Sequence, residues 1–320
     1  MNAEQYESYK PLLFSIAYRL LGSVMDAEDL VHDVFLDWER VEAKGDRSGQ
    51  AIGQAKAYLC RMVTNRAVDR LRAAKRRRTR YVGEWLPEPL VSDPADLADS
   101  AHANPLQHVL LQESLSMAYL VMLETLSPIE RAVFLLRETY AYDYDEIAGI
   151  IDRKADNCRQ ILTRARRKLR LYEQTTVYPK TLQDRAAGAS EPAASAASVN
   201  QQVLAKFMRF VTEGNIEGLL SLLTDNAVYV SDGGGKVQAA INPIVGSDRV
   251  ARFVLGIASK LNSHDYTVRA ALVNGAPGIV ITAGDTPYCT MAFEYAGDRI
   301  AAILSTMNPD KLKHVASRAR

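Results

Sequence analysis

Apolar residues recur at helical spacing over the first eighty positions. Leu12, Leu13, Ile16, Ala17 and Leu20 share one helical face, which Gly22-Ser23 interrupts. Leu30, Val31, Val34, Phe35 and Trp38 stripe a second helix, and the polar stretch 44–53 reads as a loop. A third helix is expected from about residue 55 to 75, burying Tyr58, Leu59, Met62, Val63, Ala67 and Leu71. Three such helices close a small all-α domain over 1–80. Residues 81–105 hold Pro87, Pro89, Pro94 and Pro105 and no Lys or Arg, the composition of an extended linker. Tyr81, Val82, Trp85, Leu86 and Leu90 are too apolar for a solvated tether, so this linker is expected to dock on a surface.

Helical spacing returns over 106–174. Ser127-Pro128-Ile129-Glu130 has the form of a capping box with Pro at the first helical position, followed by Ile129, Ala132, Val133 and Leu136 on one face. Tyr144, Ile147, Ala148 and Ile151 mark a short helix, and Cys158, Ile161, Leu162, Ala165 and Leu169 mark another beyond a break at 152–154. Two short helices on a tight turn predict a helix-turn-helix, with Asp152 or Asp156 as candidate N-cap of its second helix. The Ala-rich stretch 175–198 reads as a flexible linker. Over 199–306 helical patterns give way to strand-like runs at 227–231, 266–273, 278–283, 288–295 and 299–306, the order of an α+β domain; 307–320 is a tail.

Charge sharpens this outline. The 320 residues carry 39 basic and 38 acidic side chains, yet 16 of the basic ones fall in 66–80 and 153–170, opposed only by Asp69 and Asp156. Positive charge on two separate helices fits a grip on nucleic acid at two places; the plainer readings are a solvated helix end for the first and a helical hairpin with a charged surface for the second. On the third helix Asn65, Asp69, Arg72 and Arg76 follow one face, with Arg66 and Arg70 beside them. The arginines suit phosphates, and Asn suits a base edge or an extruded base. In the helix-turn-helix the outward positions are Arg153, Asn157, Arg159, Gln160, Thr163, Arg164 and Arg167, types that read purine edges in a major groove. Asp26, Asp29, Asp33 and Asp37 make an acidic stripe on the second helix. It would repel DNA and suits either solvent or a basic protein partner.

Little points to chemistry. Cys60, Cys158 and Cys289 match no zinc or redox spacing, the five histidines are scattered, and no nucleophile elbow is present. Asp232-Gly233-Gly234-Gly235-Lys236 is no phosphate-binding P-loop, because Val237 follows the lysine. Asp232, His264 and Asp285 are the residues a general base would be drawn from, but no spacing forces any two together. No catalysis, metal or cofactor is expected. With no signal peptide and no long apolar run, the natural compartment is a reducing cytoplasm.

Several segments resemble one family in order along the chain. Tyr18-Arg19-Leu20-Leu21-Gly22-Ser23, Asp26-Ala27-Glu28-Asp29-Leu30-Val31 and Thr64-Asn65-Arg66-Ala67-Val68-Asp69-Arg70-Leu71-Arg72 are similar to region 2 of extracytoplasmic-function sigma factors. The run from Leu126-Ser127-Pro128 to Arg137-Glu138, and Asn157-Cys158-Arg159-Gln160-Ile161-Leu162-Thr163-Arg164-Ala165-Arg166, are similar to region 4. Trp85-Leu86-Pro87-Glu88-Pro89-Leu90, Asp232-Gly233-Gly234-Gly235-Lys236 and Asn308-Pro309-Asp310-Lys311-Leu312 resemble signatures of the subgroup with a fused SnoaL-like domain.

The resemblance implies two all-α DNA-binding domains followed by an α+β cone. It implies that Asp26, Asp29, Asp33 and Asp37 bind core RNA polymerase. The Asn65–Arg76 face would take the −10 element with its unpaired strand, and the region 4 helix would read duplex DNA at −35. Trp85, Leu86 and Pro87 would lie along the polymerase or contact the cone, together with Asp232, Gly233, Gly234, Gly235 and Lys236 and with Asn308, Pro309, Asp310 and Lys311. The third domain would then modulate transcription initiation, and its pocket admits an unidentified small ligand. A ligand-sensing repressor that works without polymerase, and an enzyme tethered to DNA, are the competing readings.

Overall fold

Gly22, at a φ of 67°, turns the chain between α1 (Ala3–Leu21) and α2 (Val24–Ala43). With α3 (Ile52–Arg78) they bury Leu13, Ile16, Ala17, Leu20, Leu30, Val34, Leu59, Val63, Ala67 and Leu71, each at most 1% exposed. The spacing predicts this interior, and α3 extends beyond both expected ends. The computed structural model describes residues 3–43, 52–78, 81–92, 116–176, 193–261 and 266–316. Two compact units result: 1–80 with 101–113 and 122–172, and 81–100 with 114–121 and 173–320.

The first unit continues through α4 (Met117–Leu123), whose first residues group with the second unit, and α5 (Pro128–Phe134). Ser127 caps α5 in the reciprocal box with Glu130. The helix then widens into a π-turn at Leu135–Thr139. Next come α6 (Tyr144–Ile151), with a second capping box at Asp143 and Glu146, and α7 (Ala155–Thr175). Asp152 does not cap α7. It ends α6 in the left-handed conformation, φ 53°, a position where an Asp costs less than most residues.

In the second unit the 186–197 Ala run is not all tether, because α8 spans Ala193–Glu213; alanine is the strongest helix former, and Val203, Leu204 and Phe207 bury its inner face. α9 (Ile216–Leu222), β2 (Leu223–Asp232), β3 (Ile244–Val245), α10 (Ser247–Leu261), β4 (Tyr266–Val273), β5 (Ala276–Ala283), β6 (Thr286–Ala296), β7 (Arg299–Thr306) and α11 (Pro309–Ala316) follow. Neither α10 nor β3 is among the expected elements, and the tail forms a helix through Ala316. The sheet order is β1-β4-β5-β6-β7-β2-β3, where β1 (Val91–Ser92) comes from the linker and pairs Val91 with Val273. Most neighbours are antiparallel, but β2 runs parallel to β7.

Alternation in these strands defines two buried faces. Ala227, Tyr229, Cys289, Met291, Phe293, Ile300 and Ile303 join the core with α8, α9 and α10. The opposite positions, Val228, Val230, Asp232, Thr290, Ala292, Glu294, Ala302, Leu304 and Thr306, are also at most 4% exposed. That second face lies under α11, the linker and residues 116–121.

Candidate nucleic-acid and polymerase interface

On α2 and α3 the structure joins two sets of residues that the sequence suggested for separate partners. Arg66 hydrogen-bonds to Asp37, and Arg70 reaches Asp33 Oδ2 at 2.6 Å and the Asp26 carbonyl at 3.0 Å. The hydrogen bond from Arg66 holds the Asp37 carboxyl below its usual value. Asp26 and Asp29 remain exposed, and Arg72 pairs with Asp69 at 2.8 Å on the open face. Asn65 is half-buried and donates Nδ2 to the Ile150 carbonyl at the end of α6, 2.9 Å away. The Arg76 side chain lies outside the described residues.

Other contacts tie the two halves of the first unit together. Ser15 and Tyr140 share a hydroxyl hydrogen bond of 2.8 Å. Arg131, 1% exposed, donates to the carbonyls of Leu20 (2.7 Å) and Leu123 (2.9 Å) and pairs with Glu124. Cys60 is buried beside Tyr142, and burial raises its thiol pKa.

α7 sorts its residues by face. Cys158, Ile161, Leu162, Ala165 and Leu169 are buried, whereas Arg159, Gln160, Thr163, Arg164 and Arg167 are exposed and Asn157 is half-buried; Arg153, in the turn before the helix, is exposed as well. Arg159 is steadied by Asp156 at 2.5 Å and by the Tyr144 ring, 4.9 Å from its guanidinium carbon. Lys168 anchors α7 to Glu130 at 2.7 Å. Burial pushes the Glu130 pKa up, but hydrogen bonds from Lys168 and Ser127 outweigh it and leave a net lowering. The outer surface of α7 is thus a fixed cationic ridge bearing Gln and Thr.

The linker is held by the second unit. Asp232, 0% exposed, accepts hydrogen bonds from Tyr81 Oη (2.5 Å), Leu86 N (2.9 Å), Gly234 N (3.0 Å) and Lys311 Nζ (2.6 Å). Lys311 also donates to the Leu86 carbonyl at 2.5 Å and lies 4.3 Å from the Trp85 ring centre and 4.9 Å from that of Tyr81. Asn308 donates to Tyr81 Oη at 2.9 Å, His314 meets the Pro89 carbonyl at 2.7 Å, and Asn274 exchanges two hydrogen bonds with Leu90. Pro87 is buried. Gly233 and Gly234 are required, since a Cβ on Gly233 would sit 2.5 Å from the Val237 carbonyl and one on Gly234 would overlap Asn308 Nδ2. Gly235 lies against Val82, and Lys236 pairs with Asp310 outside the cluster at 2.5 Å. Pro309 opens α11.

Of the candidate bases, the two described ones lie in different settings. Asp232 is enclosed, Asp285 sits exposed in the β5–β6 turn, and His264 lies outside the described residues. No group of His, Cys, Asp and Glu among the described residues could hold a metal ion, and no described helix is long and apolar enough to cross a membrane. Sequence reasoning missed Tyr81 as a ligand of Asp232, His314, and Glu294, whose signal was a lone carboxylate inside an apolar strand.

Residues 5–77 match Sigma-70 region 2 and residues 116–169 match Sigma-70 region 4. The ECF RNA polymerase sigma factor SigJ of Mycobacterium tuberculosis is 30% identical over 97% of this chain and 93% of its own length. The probable ECF RNA polymerase sigma factor SigI of the same species is 26% identical over 96% and 93%. The crystal structure of M. tuberculosis SigJ superposes with a TM-score of 0.72 at 27% identity, covering 97% of this chain and 98% of that one. The chain belongs to the extracytoplasmic-function sigma factors of RNA polymerase.

Proposed function

We propose that this sigma factor directs core RNA polymerase, in the cytoplasm where that enzyme works, to promoters with −35 and −10 elements, and that its C-terminal domain modulates initiation by holding the linker. The acidic stripe of α2 meets polymerase, Asn65 and the α3 arginines meet the −10 element and its unpaired strand, and the α7 ridge reads −35 DNA. The third domain performs no catalysis. The observation that carries the regulatory reading is Asp232, a buried carboxylate whose four donors come from the linker, its own loop and α11. A buried charge needs full compensation, so the clamp is either closed or broken, which makes it a switch rather than a graded contact.

The geometry of the first unit adds a requirement. Element centres about 25 base pairs apart lie about 85 Å apart along B-form DNA. Asn65, bonded to Ile150, holds the two readers in contact, so they must part when both elements are engaged.

In vitro transcription with purified core polymerase tests the reading, comparing the full chain, residues 1–174, and chains ending before Asn308. We expect initiation from all that retain 1–174, with a rate that changes severalfold when 308–320 are removed. Promoter binding by the chain alone, with no polymerase-dependent initiation, would favour the repressor reading. Equal rates throughout would defeat the modulatory role.

A further inference from the structure

Among the described residues, the second face of the sheet buries one carboxylate besides Asp232. Glu294, in β6 and 4% exposed, stands among Thr290, Ala292, Ala302 and Leu304, where an unpaired charge would be expensive. Its Oε1 accepts the backbone N–H of Ala118 at 3.1 Å. Ala118 is in the first turn of α4, inside the segment that matches region 4. Ser116 supplies the neighbouring caps: its Oγ takes the Tyr119 amide at 3.1 Å and its carbonyl takes the Leu120 amide at 3.2 Å. A first-turn amide has no intrahelical acceptor, so the acceptor that serves Ala118 comes from the C-terminal domain. Met117, Ala118 and Leu120 are at most 2% exposed, and residues 114–121 group with that domain.

We propose that Glu294 is a second anchor, through which the C-terminal domain holds the start of region 4 and so fixes both ends of the connector between the two promoter readers. The first end is the Asp232 clamp with strand β1, and the second is the Glu294–Ala118 bond. The physical case is that a carboxylate at a helix start meets both an orphan donor and the positive end of the helix dipole. A connector gripped at both ends acts as a ruler, and the chain then favours promoters of one spacer length. The ruler role rests on the promoter-reading function proposed above, while the bond itself does not.

Two measurements test it on the full chain. Residue-resolved hydrogen exchange of the wild type should show the Ala118 amide slowed at least a hundredfold relative to an unstructured peptide. E294L should speed exchange at 118–120 at least tenfold while leaving Leu86 and Leu90 protected, and E294Q, which keeps the acceptor, should resemble wild type. Free exchange of Ala118 in the wild type overturns the anchor even if E294L does not fold. In the second measurement, transcription with core polymerase is run on a promoter series differing by single base pairs in spacer length. The wild type should show a preferred spacer, flattened at least threefold in E294L and kept in E294Q. An unchanged profile overturns the ruler. Failure of the wild type to initiate on any template would instead strike at the promoter-reading function, and the exchange result still decides the anchor.

Discussion

Asp232 and Lys311 are the residues whose removal should be felt most. Their pair is closed to solvent, with side-chain exposures of 0% and 9%, so deleting one partner strands the other charge. D232A should destabilise the C-terminal unit by about 3–5 kcal/mol in denaturant unfolding, and Y81F, which removes one hydroxyl donor, by about 1 kcal/mol. Cys60, Cys158 and Cys289 are all buried, and burial raises each thiol pKa, that of Cys289 to about 12. Native chain should therefore resist a thiol reagent at pH 8, and denatured chain should titrate three thiols; rapid native labelling would contradict the assigned burial. Asp37 and Asp310 have lowered pKa values through hydrogen bonds from Arg66 and Lys236. A depressed carboxylate contributes stability that is complete above its unfolded value, near 3.8, and is lost as pH falls through the lower folded value. Neither pair should move the melting temperature between pH 5 and 8, and both contributions are small because the side chains are exposed.

At the scale of elements, local chemistry and close approach set the expectations. S127A removes the α5 cap and should cost about 1 kcal/mol, since the Glu130 amide loses its acceptor hydroxyl, while the residue-127 amide and Lys168 keep their bonds to the Glu130 carboxylate. Gly234 combines a φ of 60° with the near contact to Asn308, so G234A should cost about 1–3 kcal/mol in backbone strain and displace the Asn308–Tyr81 bond. Unfolding curves of the variant and a crystal structure of its loop check both effects. The periodic helices are legible in the residue order because each carries its own apolar stripe. α10 repeats Val250, Ala251 and Val254 the same way, but its stripe is short and stands beside stronger strand signals. The start of α7 is ambiguous in the sequence through Asp152, because an Asp suits both an N-cap and a left-handed helix end, and only the backbone path separates them.

For the whole molecule, affinity for promoter DNA should track salt. If the α7 ridge reads DNA as proposed, R164A should reduce the slope of log affinity against log salt by about 1 in holoenzyme binding, whatever the sequence tested. If α3 and α7 take the −10 and −35 elements as proposed, labels placed on them should move apart on engaging polymerase and promoter, because the Asn65–Ile150 bond would then have to break. Unchanged label distances in an initiating complex would contradict that opening.

The chain's own order determined most of its helices, its helix-turn-helix, the two runs of basic residues and most strands, since these depend on side chains within a turn or two of one another. Tertiary structure alone decided that β2 closes parallel to β7, that Asp33 and Asp37 meet the α3 arginines, and which backbone groups sit beside Asp232 and Glu294. The partners involved are 151, 146 and 176 residues apart, as Tyr81 and Leu86 are from Asp232 and Ala118 is from Glu294. Periodicity reports which face is buried, and what buries it is settled only when distant segments compete for the same sheet.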